Sequence, residues 1–270
     1  MSIPTVYQVK KVFFDTADVY TLTLTSKETG KGLSFLPGQF NMLYHYGFNE
    51  IPISISGDSS DKDVLVHTIR AVGPVTQSMR ELKVGDEIGV RGPFGASWPL
   101  DKKGSNMLVI GGGCGLLPLR PALFHFAKNR GQYHDVTVLN GAKNPGEFLF
   151  SDDFKTWEKQ GISLKQTVDV PDSSWKGHVG LITTIVKPNI SDPKNTIAFV
   201  CGPEIMIRFT VKELLEAGVE KHNIFMSLEK HMECGQGFCG RCQWGPYFIC
   251  KDGAVFSYPQ IEKWLMIREL

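Results

Sequence analysis

Four consecutive apolar residues, Met107-Leu108-Val109-Ile110, run directly into Gly111-Gly112-Gly113-Cys114-Gly115 and then into Leu116-Leu117-Pro118 and a helical stretch through Ala127. A strand apolar at every position is buried on both faces, as in a sheet covered by helices. Further buried strands fall at Val136-Thr137-Val138-Leu139, Ser163 to Val168 and Ile197-Ala198-Phe199-Val200, with helices near Phe150 to Gln160 and Glu204 to Ala217. Alternating strands and helices predict an α/β, Rossmann-like parallel sheet. A glycine-rich turn between strand and helix lets backbone amides and a helix N-terminus meet a pyrophosphate without Cβ interference. By itself the turn reads equally well as a tight βα connection, because it lacks the G-x-G-x-x-G spacing. Cys201-Gly202-Pro203 ends a later strand, the position where open sheets bind ligands.

The preceding residues carry a different period. From Thr5 to about Pro99 short apolar runs alternate with turn signals, as in Val19 to Leu24, Ile51 to Ser56 and Val64 to Val72. Strands at this spacing predict an antiparallel β-barrel or sandwich. Arg91-Gly92-Pro93-Phe94-Gly95 reads as a turn-rich boundary. The expected organisation is a barrel domain over 1–100, a nucleotide domain over 101–226 and a small C-terminal segment over 227–270.

That last segment is organised by cysteine. Of six cysteines, Cys114 and Cys201 stand apart, while Cys234-x4-Cys239-x2-Cys242 and Cys250 crowd together. A secreted disulfide framework would spread them, so clustering points to thiolate ligands in a reducing compartment. Four thiolates can hold two irons bridged by sulfide, and the first three intervals match plant-type [2Fe-2S] spacing. Gly235, Gly237 and Gly240 lie between the ligands, where backbone N–H groups can approach the cluster sulfurs. The alternative is structural zinc, which usually takes two close cysteine pairs where this chain has one.

In the first domain, Pro52-Ile53-Ser54-Ile55-Ser56 and Thr68-Ile69-Arg70-Ala71-Val72-Gly73-Pro74-Val75-Thr76 are candidates for a flavin site. Alternation puts Val64, Val66, Thr68 and Arg70 on one face of their strand and Leu65, His67 and Ile69 on the other. Arg70 beside a glycine and a Thr hydroxyl could hold a phosphate. Equally, Arg70 is a solvated edge charge and His67 a core or rim histidine.

Together, the barrel with Pro52-Ile53-Ser54, the glycine turn ending in Pro118, and Cys201-Gly202-Pro203 resemble the ferredoxin-NADP reductase superfamily over residues 5–225. The tail around Cys234-Gly-Gln-Gly-Phe-Cys-Gly-Arg-Cys, with Tyr247 to Phe256, is similar to gamma subunits of NAD(P)-linked [NiFe] hydrogenases, or sulfhydrogenases. It also resembles the B subunit of anaerobic sulfite reductase and flavin subunits of heterodisulfide reductase complexes. The electron-transfer subunit of dihydroorotate dehydrogenase is a more distant likeness, its last cysteine usually lying further from the third.

The resemblance implies FAD on the barrel, NAD(P) on the parallel sheet and a cluster facing a partner. Carried over by position, Ser54 hydrogen-bonds the isoalloxazine near N5, and Ile51, Pro52 and Ile53 belong to the same flavin motif. Thr68, Ile69 and Arg70 with Gly73, Val75 and Thr76 line ribityl and phosphate groups. Gly111 to Gly115, Pro118, Asn140, Ala142, Lys143, Gly202 and Pro203 serve the nucleotide, and Cys201 lies near nicotinamide C4. One departure stands out: the superfamily often places Arg at the start of R-P-x-S, and here Ile51 follows Glu50. Either Arg70 substitutes for that charge, as expected, or the flavin binds more weakly. Lys143 could accept a 2′-phosphate, but without an Arg beside it the expectation leans slightly to NAD(H).

Nicotinamide gives two electrons as hydride and an iron-sulfur centre takes one, so a flavin is the required converter. The expected activity is an NAD(P)H-dependent oxidoreductase (diaphorase) subunit within a multi-subunit complex, a [NiFe] hydrogenase-type complex being favoured. A non-catalytic electron-transfer or scaffold subunit is the rival from another class. An oxygenase reductase is a second, though those commonly carry a longer cluster domain. With a formal net charge of +1, the chain shows no electrostatic footprint for nucleic acid or an anionic membrane. No basic-then-apolar leader stands at Met1 to Lys10 and no apolar run approaches a bilayer span, so a cytoplasmic protein is expected.

Overall fold

The computed structural model describes Ile3–Ile267. The chain forms two compact units: one takes the stretch up to Ser97 together with Glu229–Ala254, the other Trp98–Leu228 together with the residues from Val255 onward.

The first unit is built on β1 (Thr5–Phe14), β2 (Val19–Ser26), β3 (Phe40–Tyr44), β4 (Glu50–Ser54), β5 (Leu65–Arg70), helix α1 (Pro74–Arg80) and β6 (Glu87–Phe94). The strands lie in the order β4-β3-β6-β1-β2-β5, every pair antiparallel. The two edge strands meet where Ile55 bridges His67 and the Ser56 amide donates to the Val66 carbonyl at 3.0 Å. This closes the sheet into the expected barrel and leaves less edge to pair with another chain. Alternation decides the interior: Tyr20, Leu22 and Leu24 of β2 meet Leu65 and Ile69 of β5, Leu43 of β3, and Ile88 and Val90 of β6. Each such fully buried side chain contributes about 1.5–3 kcal/mol. Helix α1 was not legible in the sequence, where its first residues fall within the candidate flavin stretch Thr68 to Thr76. Pro74 suits a first helical position, and the Thr76 hydroxyl accepts from the amides of Val72 (3.0 Å) and Gly73 (2.9 Å).

The second unit carries β7 (Asn106–Gly112), α2 (Leu116–Lys128), β8 (Val136–Ala142), α3 (Ser151–Lys159), β9 (Ser163–Val168), β10 (His178–Val179), β11 (Thr196–Cys201), α4 (Glu204–Glu216) and β12 (Ile224–Ser227). The strand and helix positions agree with the sequence pattern. Strands β10-β9-β8-β7-β11-β12 pair in parallel. Trp98 stacks on Phe199 at 4.8 Å between centroids, and Phe126, Leu119, Leu123 and Val109 complete a dry core.

The C-terminal residues are shared out. Strands β13 (Gln243–Trp244) and β14 (Tyr247–Phe248) form a hairpin followed by the single turn α5 (Ile249–Asp252), all within the first unit. Strand β15 (Val255–Ser257) then adds antiparallel to β12, and α6 (Tyr258–Leu265) follows it in the second unit. Where the sequence suggested one segment over 227–270, the chain is divided at Ala254, because three residues complete a sheet edge that periodicity cannot reveal. Among the described residues no helix is long and apolar enough to cross a membrane.

Candidate functional site

The glycine turn lies where the sequence placed it. Gly111 and Gly112 end β7, Cys201 pairs with Gly111, and Asn140 of β8 pairs with Gly111 from the other side. Register therefore gathers Gly111–Gly115, Cys201-Gly202-Pro203 and Asn140 to Ala142 at the carboxyl ends of three adjacent parallel strands. Gly113 is exposed at φ +55° with open space where a Cβ would stand, whereas a Cβ on Gly112 would lie 2.3 Å from the Met206 sulfur. The chain thus leaves an open backbone cradle at Gly113 at the entrance to α2. No acidic residue occupies the first turn of α2, while α4 begins with Glu204. An anion is therefore favoured at α2 and disfavoured at α4. Asn140 is 2% exposed and its Nδ2 has no hydrogen-bond partner, a buried donor of the kind a nucleotide would satisfy. These features fit a dinucleotide. Pro118 is buried in α2, its carbonyl accepting from Trp98 Nε1 at 2.9 Å. Cys201 is 1% exposed and packs in the apolar core. Lys143 is exposed just beyond β8, its carbonyl accepting from the Val170 amide at 2.8 Å.

In the barrel, Ile51 and Ile53 pack against the core, so alternation turns Pro52 and Ser54 to the outer face. The Ser54 carbonyl accepts from His67 Nδ1 at 2.9 Å, and His67 Nε2 accepts from Asn41 Nδ2 at 3.1 Å. This pattern defines a neutral imidazole; full burial lowers the pKa of His67 to about 4, opposed by its bond to Ser54. The core reading of His67 thus holds. Four of the expected lining residues are packed or engaged within the barrel itself. Ile69 is 1% exposed inside the barrel, so only its backbone is available to a ligand. Thr68 is also buried, and its hydroxyl is engaged by Thr21 Oγ1 at 2.8 Å and Ser56 Oγ at 2.9 Å. The hydroxyl of Thr76, likewise, closes the start of α1, with Val75 packed on the core beside it. Arg70 lies exposed at the end of β5, its Nε 2.6 Å from Asp18 Oδ2. The bond from Arg70 holds the Asp18 carboxyl below its usual range.

The four clustered cysteines come together in the first unit. Cys234, Cys242 and Cys250 are buried and Cys239 is exposed. Gly235, Gly237 and Gly240 adopt left-handed φ of +71°, +75° and +78°, which turns successive amides inward. The amides of Gln236 and Phe238 each donate to Cys234 Sγ at 3.3 Å, the Gly237 amide to Cys250 Sγ at 3.0 Å and the Cys250 amide to Cys242 Sγ at 3.5 Å. Burial raises the pKa of Cys234, but these donors and the Cys239 thiol outweigh it and bring the value to about 6. Burial and the neighbouring Cys242 push Cys250 up to about 12, since two adjacent thiols do not readily share two negative charges. The thiol of Cys234 interacts with that of Cys239, and Cys250 with both Cys242 and Cys234. Among the described residues no three His, Cys, Asp or Glu side chains converge on a position for a single metal ion. Amide donors aimed at thiolate sulfur fit an iron-sulfur cluster.

Arg91 was not singled out by the sequence reading. It lies buried in β6, paired with Glu50 of β4, and reaches the Cys234 carbonyl. Its neighbours on the sheet, Met42 and Phe94, lie 3.0 and 3.2 Å from where a Gly235 Cβ would stand. The cysteine segment therefore docks on the outer face of β3 and β6, beside the strand that carries Ser54.

Comparisons with known proteins agree with this geometry. Residues 109–212 match the family described as oxidoreductase NAD-binding domain. Residues 229–262 match the iron-sulfur cluster binding domain of dihydroorotate dehydrogenase B. Sulfhydrogenase 2 subunit gamma of Pyrococcus furiosus is 34% identical, the match covering 89% of each chain. A probable electron transfer subunit of dihydroorotate dehydrogenase B (NAD(+)) from Methanocaldococcus jannaschii is 32% identical over 95% of this chain and 90% of its own. The solved structure of an NADH-dependent reduced ferredoxin-NADP oxidoreductase, described for flavin-based electron bifurcation, superposes with a TM-score of 0.76 at 26% identity, covering 100% of this chain and 95% of the other. The chain belongs to the ferredoxin-NADP reductase-like family that includes the sulfhydrogenase gamma subunits and the dihydroorotate dehydrogenase B electron-transfer subunits.

Proposed function

We propose that this chain is the diaphorase subunit of a hydrogenase-type complex in a reducing, cytoplasmic setting, linking NAD(P)H to a partner redox subunit. Its glycine turn and α2 bind the dinucleotide, the outer face of β4 and the end of β5 bind FAD, and Cys234, Cys239, Cys242 and Cys250 bind one [2Fe-2S] cluster. Bound FAD supplies the exchange between the electron pair of a hydride and the single electrons of an iron-sulfur centre.

The observation that carries this reading is the docking of the cysteine segment against the sheet that presents Ser54. Strands β4 and β6 are separated by β3 alone. At about 4.8 Å between neighbouring strands, the Ser54 strand and the Arg91 strand are about 10 Å apart. Ser54 orients the flavin edge and its carbonyl is fixed by His67. The left-handed glycines hold the donors that stabilise thiolate charge. The similarity to two sulfhydrogenase gamma subunits favours a hydrogenase-type partner. A second reading, delivery to a dihydroorotate-oxidising subunit, draws on the match of residues 229–262.

Anaerobic purification with partners attached tests the proposal. Expected are FAD, iron and acid-labile sulfide at about two each per chain, viologen reduction by NADH or NADPH, and a co-purifying hydrogenase-type subunit. Stoichiometric zinc without sulfide refutes the cluster. A chain without flavin or viologen activity is the scaffold subunit instead, and a co-purifying dihydroorotate dehydrogenase selects the second reading.

A further inference from the structure

Buried charge is costly, and this chain buries one ion pair where it makes contact with the cysteine segment. The side chains of Arg91 and Glu50 are 3% and 16% exposed. Arg91 Nε donates to Glu50 Oε1 at 2.7 Å, and Nη2 donates to the second carboxylate oxygen. Nη1 and Nη2 each also donate to the Cys234 carbonyl at 3.1 Å. The guanidinium lies over the Phe94 ring at 5.6 Å. Arg91 is thereby held on one side by a carboxylate from β4 and on the other by the backbone of the first cysteine.

Desolvation makes such a pair poor value as a source of stability, since an apolar pair of similar volume often does as well. The geometry offers another role. A carbonyl that accepts two charge-assisted bonds is fixed in direction, and with it the Cα–Cβ vector of Cys234. A cation in a dry site also acts on nearby charge with little screening. Docking contacts reinforce the attachment: Gly235 packs on Met42 and Phe94, and the Ala96 amide donates to the Gly253 carbonyl.

We infer that Arg91 and Glu50 are positioning residues for the iron-sulfur centre: Arg91 orients Cys234 and favours the reduced cluster, and Glu50 offsets that charge. This rests on the proposed cluster at Cys234, Cys239, Cys242 and Cys250. One-electron reduction adds one negative charge beside Cys234. Arg91 attracts it and Glu50 repels it, so the two residues act on the midpoint potential with opposite sign. A residue needed only for packing has no such sign.

The test uses the complete chain, purified anaerobically with its cluster, in three forms: Arg91→Gln, Glu50→Gln and the double variant. Iron and sulfide are assayed first, and the midpoint potential is then read by EPR-monitored titration with dithionite. Arg91→Gln is expected to shift the potential negative by about tenfold in the oxidised-to-reduced ratio, which is about 59 mV for one electron. Glu50→Gln is expected to shift it positive by a comparable factor, and the double variant to return towards wild type. Glu50→Gln keeps volume and an acceptor for Arg91, so it carries the test alone if Arg91→Gln fails to fold. Shifts of the same sign, or no shift in Glu50→Gln, overturn the inference. Wild-type protein without iron and sulfide would instead refute the cluster itself.

Discussion

The α-carbon of Gly115 lies against the carbonyl of Cys201, so closely that a Cβ on Gly115 would stand 2.2 Å from that oxygen. Gly115 has an ordinary helical φ of −60°, so the requirement for glycine is steric. Both surfaces are backbone and neither can turn aside. Gly115→Ala should push α2 away from the end of β11, costing about 1–3 kcal/mol and opening the dinucleotide cradle. Gly113→Ala is the control for stability alone: its Cβ meets no protein atom, so only the left-handed φ of +55° opposes it, at about 1–2 kcal/mol, while the added methyl stands in the cradle and should weaken NADH binding. Thermal unfolding and NADH titration of both variants check this. Wild-type stability and affinity in Gly115→Ala would mean that the approach is looser than the structure has it.

His67 predicts an acid limb to stability. Its imidazole is neutral in the fold, with burial lowering the pKa to about 4 against 6.5 for the free group. As pH falls below 6.5 the unfolded chain takes up a proton that the native chain refuses, so stability is full above 6.5 and declines down to about 4. At about 1.4 kcal/mol per unit the loss is on the order of 3 kcal/mol. Urea unfolding at pH 7.5 and pH 5 should show this slope, and His67→Gln should flatten it. An unchanged slope in the variant would assign the acid sensitivity to other groups.

Coenzyme choice is predicted to turn on the strand ends β8 and β9. Asp169, which sequence reading passed over, follows β9, and its amide donates to the Ala142 carbonyl at 3.1 Å, next to Lys143. A carboxylate there can accept from a ribose hydroxyl and repel a 2′-phosphate. Asp169→Asn should therefore raise the NADPH-to-NADH ratio of kcat/KM several-fold, and Lys143→Ala should lower it modestly. A large NADPH preference in the wild type that vanishes in Lys143→Ala would reverse the assignment.

The elements legible in the sequence were those whose signal is local. An uninterrupted apolar run ending in glycine specifies β7 and the turn into α2, and cysteine intervals specify the metal-binding segment. Arg91 was not legible, because its burial depends on Glu50, 41 residues away, and on Cys234, 143 residues away. Beside Gly92-Pro93 it reads as a surface turn. Thr68 illustrates the converse limit: alternation gave its face correctly, but not that Thr21 and Ser56 occupy its hydroxyl.

Arg70 remains the cation on offer to the two negative charges of an FAD pyrophosphate. Ile51, at the place where the superfamily often has arginine, is turned into the barrel core, and the nearby Arg91 is committed to Glu50 and Cys234. Arg70 is about half exposed and tied to Asp18, itself about half exposed. An exposed pair of this kind is worth about 0–1 kcal/mol, less than the about 1.5–3 kcal/mol of a charge-assisted bond to phosphate, so Asp18 does not outcompete the flavin. Arg70→Ala should weaken FAD binding by about one to two orders of magnitude, purify flavin-depleted with its iron intact, and regain NAD(P)H-viologen activity when FAD is added. Asp18→Asn removes the competitor and should tighten FAD binding. Full flavin content and unchanged affinity in Arg70→Ala would reduce Arg70 to an edge charge and overturn its assignment to the pyrophosphate.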